Sequence, residues 1–282
     1  MSSFLSAQRR PEGAGPGTGP AGDAIAGVPV LFDGVGQTFR TGGRVTRALE
    51  RVDLEVEAGE FVAILGPSGC GKSTLMKIAA GLIAPSEGQV SIGGTVVRGP
   101  WTKLGVVFQS PVLLDWRNVL DNVLVQLELR GIDPAAYRDR AHALLRSVGL
   151  EGFADRMPRE LSGGMRQRTA IVRGLIHDPP LLMMDEPFGA LDALTREQMR
   201  IDLEKLWLSR RQTTLFITHG ISEAVALADR VVVMTPRPGR IDRIIPIDLP
   251  RPRNKAVISS ARFTATCDEI TELFMKNGVI QY

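Results

Sequence analysis

An α/β fold built on a parallel sheet is what this 282-residue sequence predicts. Short, almost wholly apolar runs alternate with amphipathic stretches: PLLMMD at 180–185, TTLFIT at 213–218 and RVVVM at 230–234 are separated by helical patterns at 194–210 and 220–228. Apolar runs of that length, without the in-and-out alternation of a half-exposed strand, fit strands covered on both faces by helices. Composition agrees, since 44% hydrophobic and 23% charged residues are ordinary for a folded domain.

The elements follow in chain order. Residues 1–27, with PEGAGPGTGPAG at their centre, are dominated by Gly, Pro and Ala and cannot bury enough apolar surface to offset ordering, so they read as a disordered tail. A main domain is expected over 28–250. It opens with strands VPVLFDGV, ALERVDLEV and EFVAIL, the last ending at Gly66, and a helix follows from Lys72 through LMKIAAGL. The strand LGVVF leads to Gln109, after which 117–130 and 134–148 carry helical spacing. These form a helical block, about 112–165, inserted between strand-rich parts. After RVVVM, the stretch PRPGR at 236–240 reads as a hairpin turn before one more strand. Residues 251–282 are a linker and a final helix near 260–276, the Arg/Pro run LPRPRNK at 249–255 reading as solvated.

Charge and apolar runs exclude several classes. Thirty-four basic against 31 acidic side chains leave +3, too small an excess to indicate nucleic acid as an obligatory partner. Runs such as FVAIL fall far short of the roughly 20 residues that span a bilayer. The N-terminus lacks the apolar core of a secretory signal and two cysteines make no disulfide framework, so a reducing, cytoplasmic location is expected.

GPSGCGKST at 66–74 matches the phosphate-loop pattern G-x-x-x-x-G-K-[ST] and stands between an apolar strand and a helix, as that reading requires. Gly66, Pro67, Ser68, Gly69, Cys70, Gly71, Lys72, Ser73 and Thr74 are therefore candidate nucleotide contacts. Glycines let backbone N–H groups wrap phosphates, Lys72 reaches the β and γ oxygens, and Ser73 offers a hydroxyl to Mg²⁺. Cys70 sits near a helix N-terminus, where a thiolate is favoured, although a simple need for a small residue is the preferred reading. LLMMDEP at 181–187 delivers Asp185 to the sheet's C-terminal edge, where it can orient Mg²⁺, and places Glu186 to polarise an attacking water. A second glycine pair, in LSGGMRQR at 161–168, precedes another helix, although the chain already has a phosphate loop.

These motifs, with ALD at 190–192 and His219 after a strand, closely resemble the ATP-binding cassette (ABC) ATPase subunit over about residues 30–250. The resemblance implies a P-loop NTPase with a RecA-like parallel-sheet core, an antiparallel β subdomain and the inserted helical subdomain. It also implies a head-to-tail homodimer around two ATPs, in which the signature residues Ser162, Gly163, Gly164 and Gln167 of one subunit serve the nucleotide of the other. Phe39 falls where the family stacks an aromatic on adenine, a core Phe being the rival reading. Gln109 matches the glutamine that touches Mg²⁺ and the attacking water, and His219 the switch histidine. His142 and His177 are expected to be solvated. Asp192 matches an aspartate that crosses the dimer interface, or is simply a helix N-cap. Most relatives continue His-Asp; here Gly220 follows His219, which removes a carboxylate near the switch.

SPVLLDWRNVLDNV at 110–123 resembles the coupling surface of importers for nitrate, sulfonates, taurine and related solutes, with Asp115 where a proline is usual. FGALDALTREQMR and MTPRPGRI resemble the same branch. That branch implies two permease subunits seated near Leu113 and Trp116, an indirect solute-binding protein, and a peripheral place on the cytoplasmic face of the cell membrane. Ordinary core packing is the other reading of Leu113 and Trp116. Thiamine-precursor importers share much of the pattern. A DNA- or RNA-linked ABC ATPase is the rival class, but it would carry a long coiled coil or a second cassette.

Overall fold

The structure, a computed structural model, describes residues 27–280. The tail expected over 1–27 thus lies outside the described residues, apart from Gly27. In chain order the chain forms β1 (Val30–Thr41), β2 (Arg44–Val56), β3 (Phe61–Leu65), α1 (Lys72–Ala79), β4 (Glu87–Ile92), β5 (Thr95–Val96) and β6 (Leu104–Val107). Next come α2 (Val119–Glu128), α3 (Arg138–Ser147), α4 (Gly163–Leu175), β7 (Leu181–Asp185), α5 (Ala193–Arg210) and β8 (Thr213–Thr218). The last are α6 (Ile221–Leu227), β9 (Arg230–Met234), β10 (Ile241–Pro246), α7 (Lys255–Ile258) and α8 (Ala261–Lys276).

Six strands form one sheet in the order β10-β9-β3-β8-β7-β6, parallel except for β10, which returns antiparallel beside β9 through the expected hairpin. The apolar runs are buried on both faces because their residues divide between two cores. Phe61, Ala63 and Leu65 of β3 face the core formed with α2 to α6 and α8, whereas Val62 and Ile64 face the one formed with α1 and the second sheet. The same alternation repeats in β7, with Leu182 and Met184 on one side and Leu181 and Met183 on the other. This is the pleat's period of two acting inside a doubly covered sheet.

The second sheet is antiparallel, ordered β2-β1-β4-β5. Its first hairpin runs further than the apolar pattern suggests, because β1 continues to Thr41 and turns at Gly42 and Gly43, both at positive φ (56° and 78°). Two consecutive left-handed residues are what a tight hairpin needs, and glycine adopts them without strain. β4 and β5 have no counterpart in the sequence reading. Only Val90 and Ile92 of EGQVSI are fully apolar and inward, too short an alternation to stand out from a loop.

The C-terminal region corrects one expectation. LPRPRNK is not a solvated linker: Arg253 is 1% exposed, and its Nη1 donates to the Val225 and Ala228 carbonyls at the end of α6 (2.8 and 2.6 Å). Its backbone N–H donates to Glu204 of α5 at 2.9 Å. Arg251 donates to the Leu227 carbonyl and to Asp229, and lies 4.4 Å from the Trp207 ring centre. Burial draws the Arg253 pKa down to about 10, so the group is still a cation at neutral pH, balanced by these oxygens.

Candidate nucleotide site

Because β3, β6, β7 and β8 run in parallel, their C-terminal ends meet at one edge, and the loops leaving them carry the chemistry. The loop after β3 is the glycine-rich 66–74, Gln109 follows β6 by two residues, Asp185 and Glu186 end β7, and His219 follows β8. A cavity of about 400 Å³ opens there. Ser68, Gly69, Gly71, Lys72, Ser73, Thr74, Gln109, Asp185 and Glu186 line it from the parallel sheet, and Phe39, Thr46 and Ala48 from the antiparallel one; Arg237 completes the wall.

Lys72 is 5% exposed and donates from Nζ to the carbonyls of Gly66 (2.7 Å) and Pro67 (3.1 Å), partners that a buried ammonium requires. Gly71 has φ 105°, and a Cβ there would lie 2.6 Å from the Leu49 side chain and 2.9 Å from the Ala48 carbonyl, so the loop wedges under β2. Cys70 is buried beneath that loop. Burial pushes its thiol up, with Lys72 nearby opposing, which agrees with the preferred reading of a small packed residue over a reactive thiolate.

Glu186 is in the left-handed region at φ 45°, uncommon outside glycine and here enforced by its N–H donating to the Ile217 carbonyl at 2.9 Å. That turn brings its carboxylate 3.9 Å from Lys72 Nζ, 3.3 Å from Gln109 Nε2, which donates to it, and 3.4 Å from His219 Nδ1. Asp185 is pushed up in pKa, first by burial, while the nearby Ser73 hydroxyl draws it back. Its Oδ1 is buried with no protein partner. A bare carboxylate oxygen next to a serine hydroxyl fits a hard divalent cation such as Mg²⁺.

Phe39 is 40% exposed on the cavity wall, and so is not a core Phe. His177 is not solvated: it is half-buried, hydrogen-bonded to the Leu104 carbonyl at 3.2 Å, and burial lowers its pKa to about 4. His142 is exposed.

The other sequence-derived residues lie away from this cavity. Ser162 caps α4 by accepting from the Met165 N–H at 3.2 Å, and Asp192 caps α5 by accepting from Thr195 N–H at 3.0 Å. Gly163 is exposed with open space where a Cβ would be; Gly164 is buried, and a Cβ there would meet Thr195 Cγ2 at 2.4 Å. Gln167 is 2% exposed and donates to the Phe108 carbonyl at 3.3 Å, tying α4 to the end of β6. This corrects its expected nucleotide contact, because the side chain has no free surface to offer.

A carboxylate from one turn further on, that of Glu223, lies against Gly220. Glu223 accepts from the Thr218 hydroxyl at 2.7 Å, and a Cβ on Gly220 would fall 2.9 Å from Glu223 Cδ. Glu223 also lies 3.5 Å from Arg196, which donates to the Leu191 carbonyl, so one acid joins the segment around His219 to the one around Asp192. Sequence reading passed over Glu223 because its partners come together only in the fold.

A glycine-rich loop between strand and helix, a buried lysine at its end and a strand-end acid with a bare oxygen define a P-loop nucleotide-binding protein. The ABC transporter family model matches residues 49–189, and the chain belongs to that family. It is 45% identical over 219 residues to the aliphatic sulfonates import ATP-binding protein of Bacillus licheniformis, covering 78% of this chain and 85% of that one. It is 46% identical over 231 residues to the taurine import ATP-binding protein of Rhizobium johnstonii (82% and 87% covered). An ABC transporter ATP-binding protein of Methanocaldococcus jannaschii shares 48% identity over 231 residues (82% and 86%). Among solved structures, a dimeric ATP-binding cassette in a post-hydrolysis state with ADP and phosphate superposes with a TM-score of 0.69 at 34% identity, covering 77% of this chain and 98% of that one.

Proposed function

We propose that this chain is the ATP-hydrolysing subunit of a membrane importer for small anionic organic solutes of the sulfonate or taurine kind. The observation that carries the chemistry is the convergence of Lys72, Gln109 and His219 on the carboxylate of Glu186 at the mouth of the loop. The adenine ring rests on Phe39, the triphosphate lies in loop 66–74 with Lys72 on its outer oxygens, and Glu186 accepts a proton from water as it attacks the γ-phosphate. Gln109 and His219 hold the Glu186 carboxylate and the water in line. Asp185, Ser73 and Gln109 would hold Mg²⁺, which supplies charge neutralisation to the phosphates.

Ser162 and Gly163, exposed at the N-terminus of α4 and apart from the chain's own cavity, serve the γ-phosphate of a second copy, with Asp192 at the same interface. A helix N-terminus offers unpaired N–H groups and partial positive charge to that phosphate. The dimeric relative with ADP and phosphate supports this arrangement.

No described helix is long and apolar enough to cross a membrane, so permease subunits are needed, with this chain peripheral on their cytoplasmic side and a solute-binding protein acting through them. Trp116 is 75% exposed, which supports a permease contact there, whereas Leu113 packs partly into the core. The loop presenting Trp116 is held by buried Asn122, which accepts from Leu114 N–H and donates to the Arg117 carbonyl. An apolar groove of about 940 Å³, lined by Leu82, Phe108 and Leu129, ends one residue from Gln109 and supports a seat from which the permease senses the nucleotide.

Purifying the tagged chain from native membranes, identifying the permease that accompanies it and reconstituting both with the binding protein in liposomes tests the reading. ATP-dependent uptake of taurine or an alkanesulfonate is expected. Hydrolysis unaffected by permease, with no uptake of either solute, counts against it.

A further inference from the structure

The hairpin between β9 and β10, read from sequence only as a turn, reaches back to the nucleotide cavity and touches both of its walls. On the phosphate side, Arg237 donates from Nε and Nη2 to the single carbonyl oxygen of Gly69, at 3.1 and 3.0 Å. Gly239 lies so close to the same loop that a Cβ would fall 1.8 Å from the Cys70 carbonyl oxygen. On the base side, Gly239 N–H donates to the Ala48 carbonyl and its own carbonyl accepts from Glu50 N–H, both at 2.9 Å. Ala48 lines the cavity from β2, the strand that pairs Thr46 with Phe39.

We propose that Arg237 is a positioning residue of the nucleotide site. Its guanidinium fixes the phosphate loop at Gly69, and the hairpin that carries it is stitched to the strands that hold Phe39. The hairpin thereby sets the spacing between the base and phosphate subsites.

Gly69 stands at φ 75°, and glycine loops of this kind sample many conformations unless something restrains them. Two charge-assisted bonds from one rigid fork to one carbonyl remove most of that freedom before a ligand arrives, and preorganisation of this sort strengthens binding. A lysine offers no such fork. Lys72 and Arg237 are the two cationic residues lining the cavity, and they divide the labour: Lys72 is buried inside the loop, Arg237 braces it from outside. Since Arg237 is exposed, its loss leaves no void in the core and acts on the site rather than on the fold.

The inference rests on the cavity being the ATP site, so the experiment carries a control for that reading. Full-length parent, Arg237→Ala, Arg237→Lys and Lys72→Ala are compared by calorimetric titration with ATP and with GTP, by steady-state hydrolysis and by thermal melting. Arg237→Ala is expected to weaken both nucleotides by the same factor, about tenfold, which is the loss of one charge-assisted hydrogen-bonding group. KM should rise in step while kcat stays within about twofold of the parent, the split expected of binding lost equally in ground and transition states. Arg237→Lys should recover part of the affinity, and the melting temperature should not move. Affinities of Arg237→Ala within about twofold of the parent would overturn the proposal, since a lost charge-assisted bond exceeds that. A changed ATP-to-GTP ratio would overturn it too, by showing contact with the base in place of a clamp on the loop. Unaltered binding in Lys72→Ala would instead overturn the site itself, and the proposal with it.

Discussion

Two of the glycine-bearing segments that stand in front of helices, 66–74 and 162–164, differ in their surroundings. Loop 66–74 is completed by its own chain: a Cβ at Gly66 would lie 2.8 Å from Cys70 Sγ, one at Gly71 would strike β2, and Arg237 braces Gly69. The segment at 162–164 is completed on one side only. Gly164 is pressed against Thr195, but Gly163 faces open space. Glycine in the first segment is a packing requirement, whereas at Gly163 no atom among the described residues demands it. The proposed role of that segment, toward the phosphate of a second copy, rests on this open side.

The largest effect is expected within the self-completed half. Glu186→Gln should retain ATP and lower hydrolysis by about 10²- to 10⁴-fold, the usual contribution of a general base. Size-exclusion chromatography with ATP should then show accumulated dimer; turnover at the parent rate removes Glu186 from the mechanism. Gly163→Val tests the open half. Its melting temperature and ATP affinity should match the parent while hydrolysis falls by about a hundredfold, as for lost donors to a transition-state phosphate. Normal turnover would mean that no second copy docks there.

Acid should act on the side of the open half, because His177 lies two residues beyond α4, the helix that Gly163 begins. Its folded pKa, about 4, lies below the unfolded value near 6.5, so the unfolded chain binds the proton first. The stability of the neutral form is complete above pH 6.5 and declines as pH falls towards 4, by at most about 3 kcal/mol. Denaturation of His177→Gln followed against pH should show a flatter profile through that window. Gly164→Val, unlike its neighbour, should destabilise the fold by about 1–3 kcal/mol through overpacking against Thr195, read by urea melts. The smallest change is expected at Phe39→Ala: about 1 kcal/mol of ATP affinity, the worth of one aromatic contact, with the melting temperature held.

Much of this was legible in the sequence because it is local. FVAIL, LLMMD and TTLFIT announce buried parallel strands by composition, and GPSGCGKST and LSGG by spacing. β4 escaped because two inward side chains make no pattern, and Arg251 and Arg253 looked solvated because an Arg/Pro run usually is. Nothing in the letters reveals that α6 ends in carbonyls needing exactly such donors nearby. Glu223 and Arg237 were missed for the same reason: each acts on a residue that only the tertiary fold brings near.

The anchoring of Arg251 and Arg253 has a practical corollary for anyone trimming or labelling this polypeptide. Cutting the chain before Pro250 would strip two carbonyls of α6, that of its cap Ala228 and the carboxylate of Glu204 of these donors, and would uncover the face of α6 on which α8 packs. What looks like a dispensable extension is the fastening for the short helix that begins two residues beyond His219. Shortened versions should therefore lose hydrolysis before they lose the capacity to hold nucleotide.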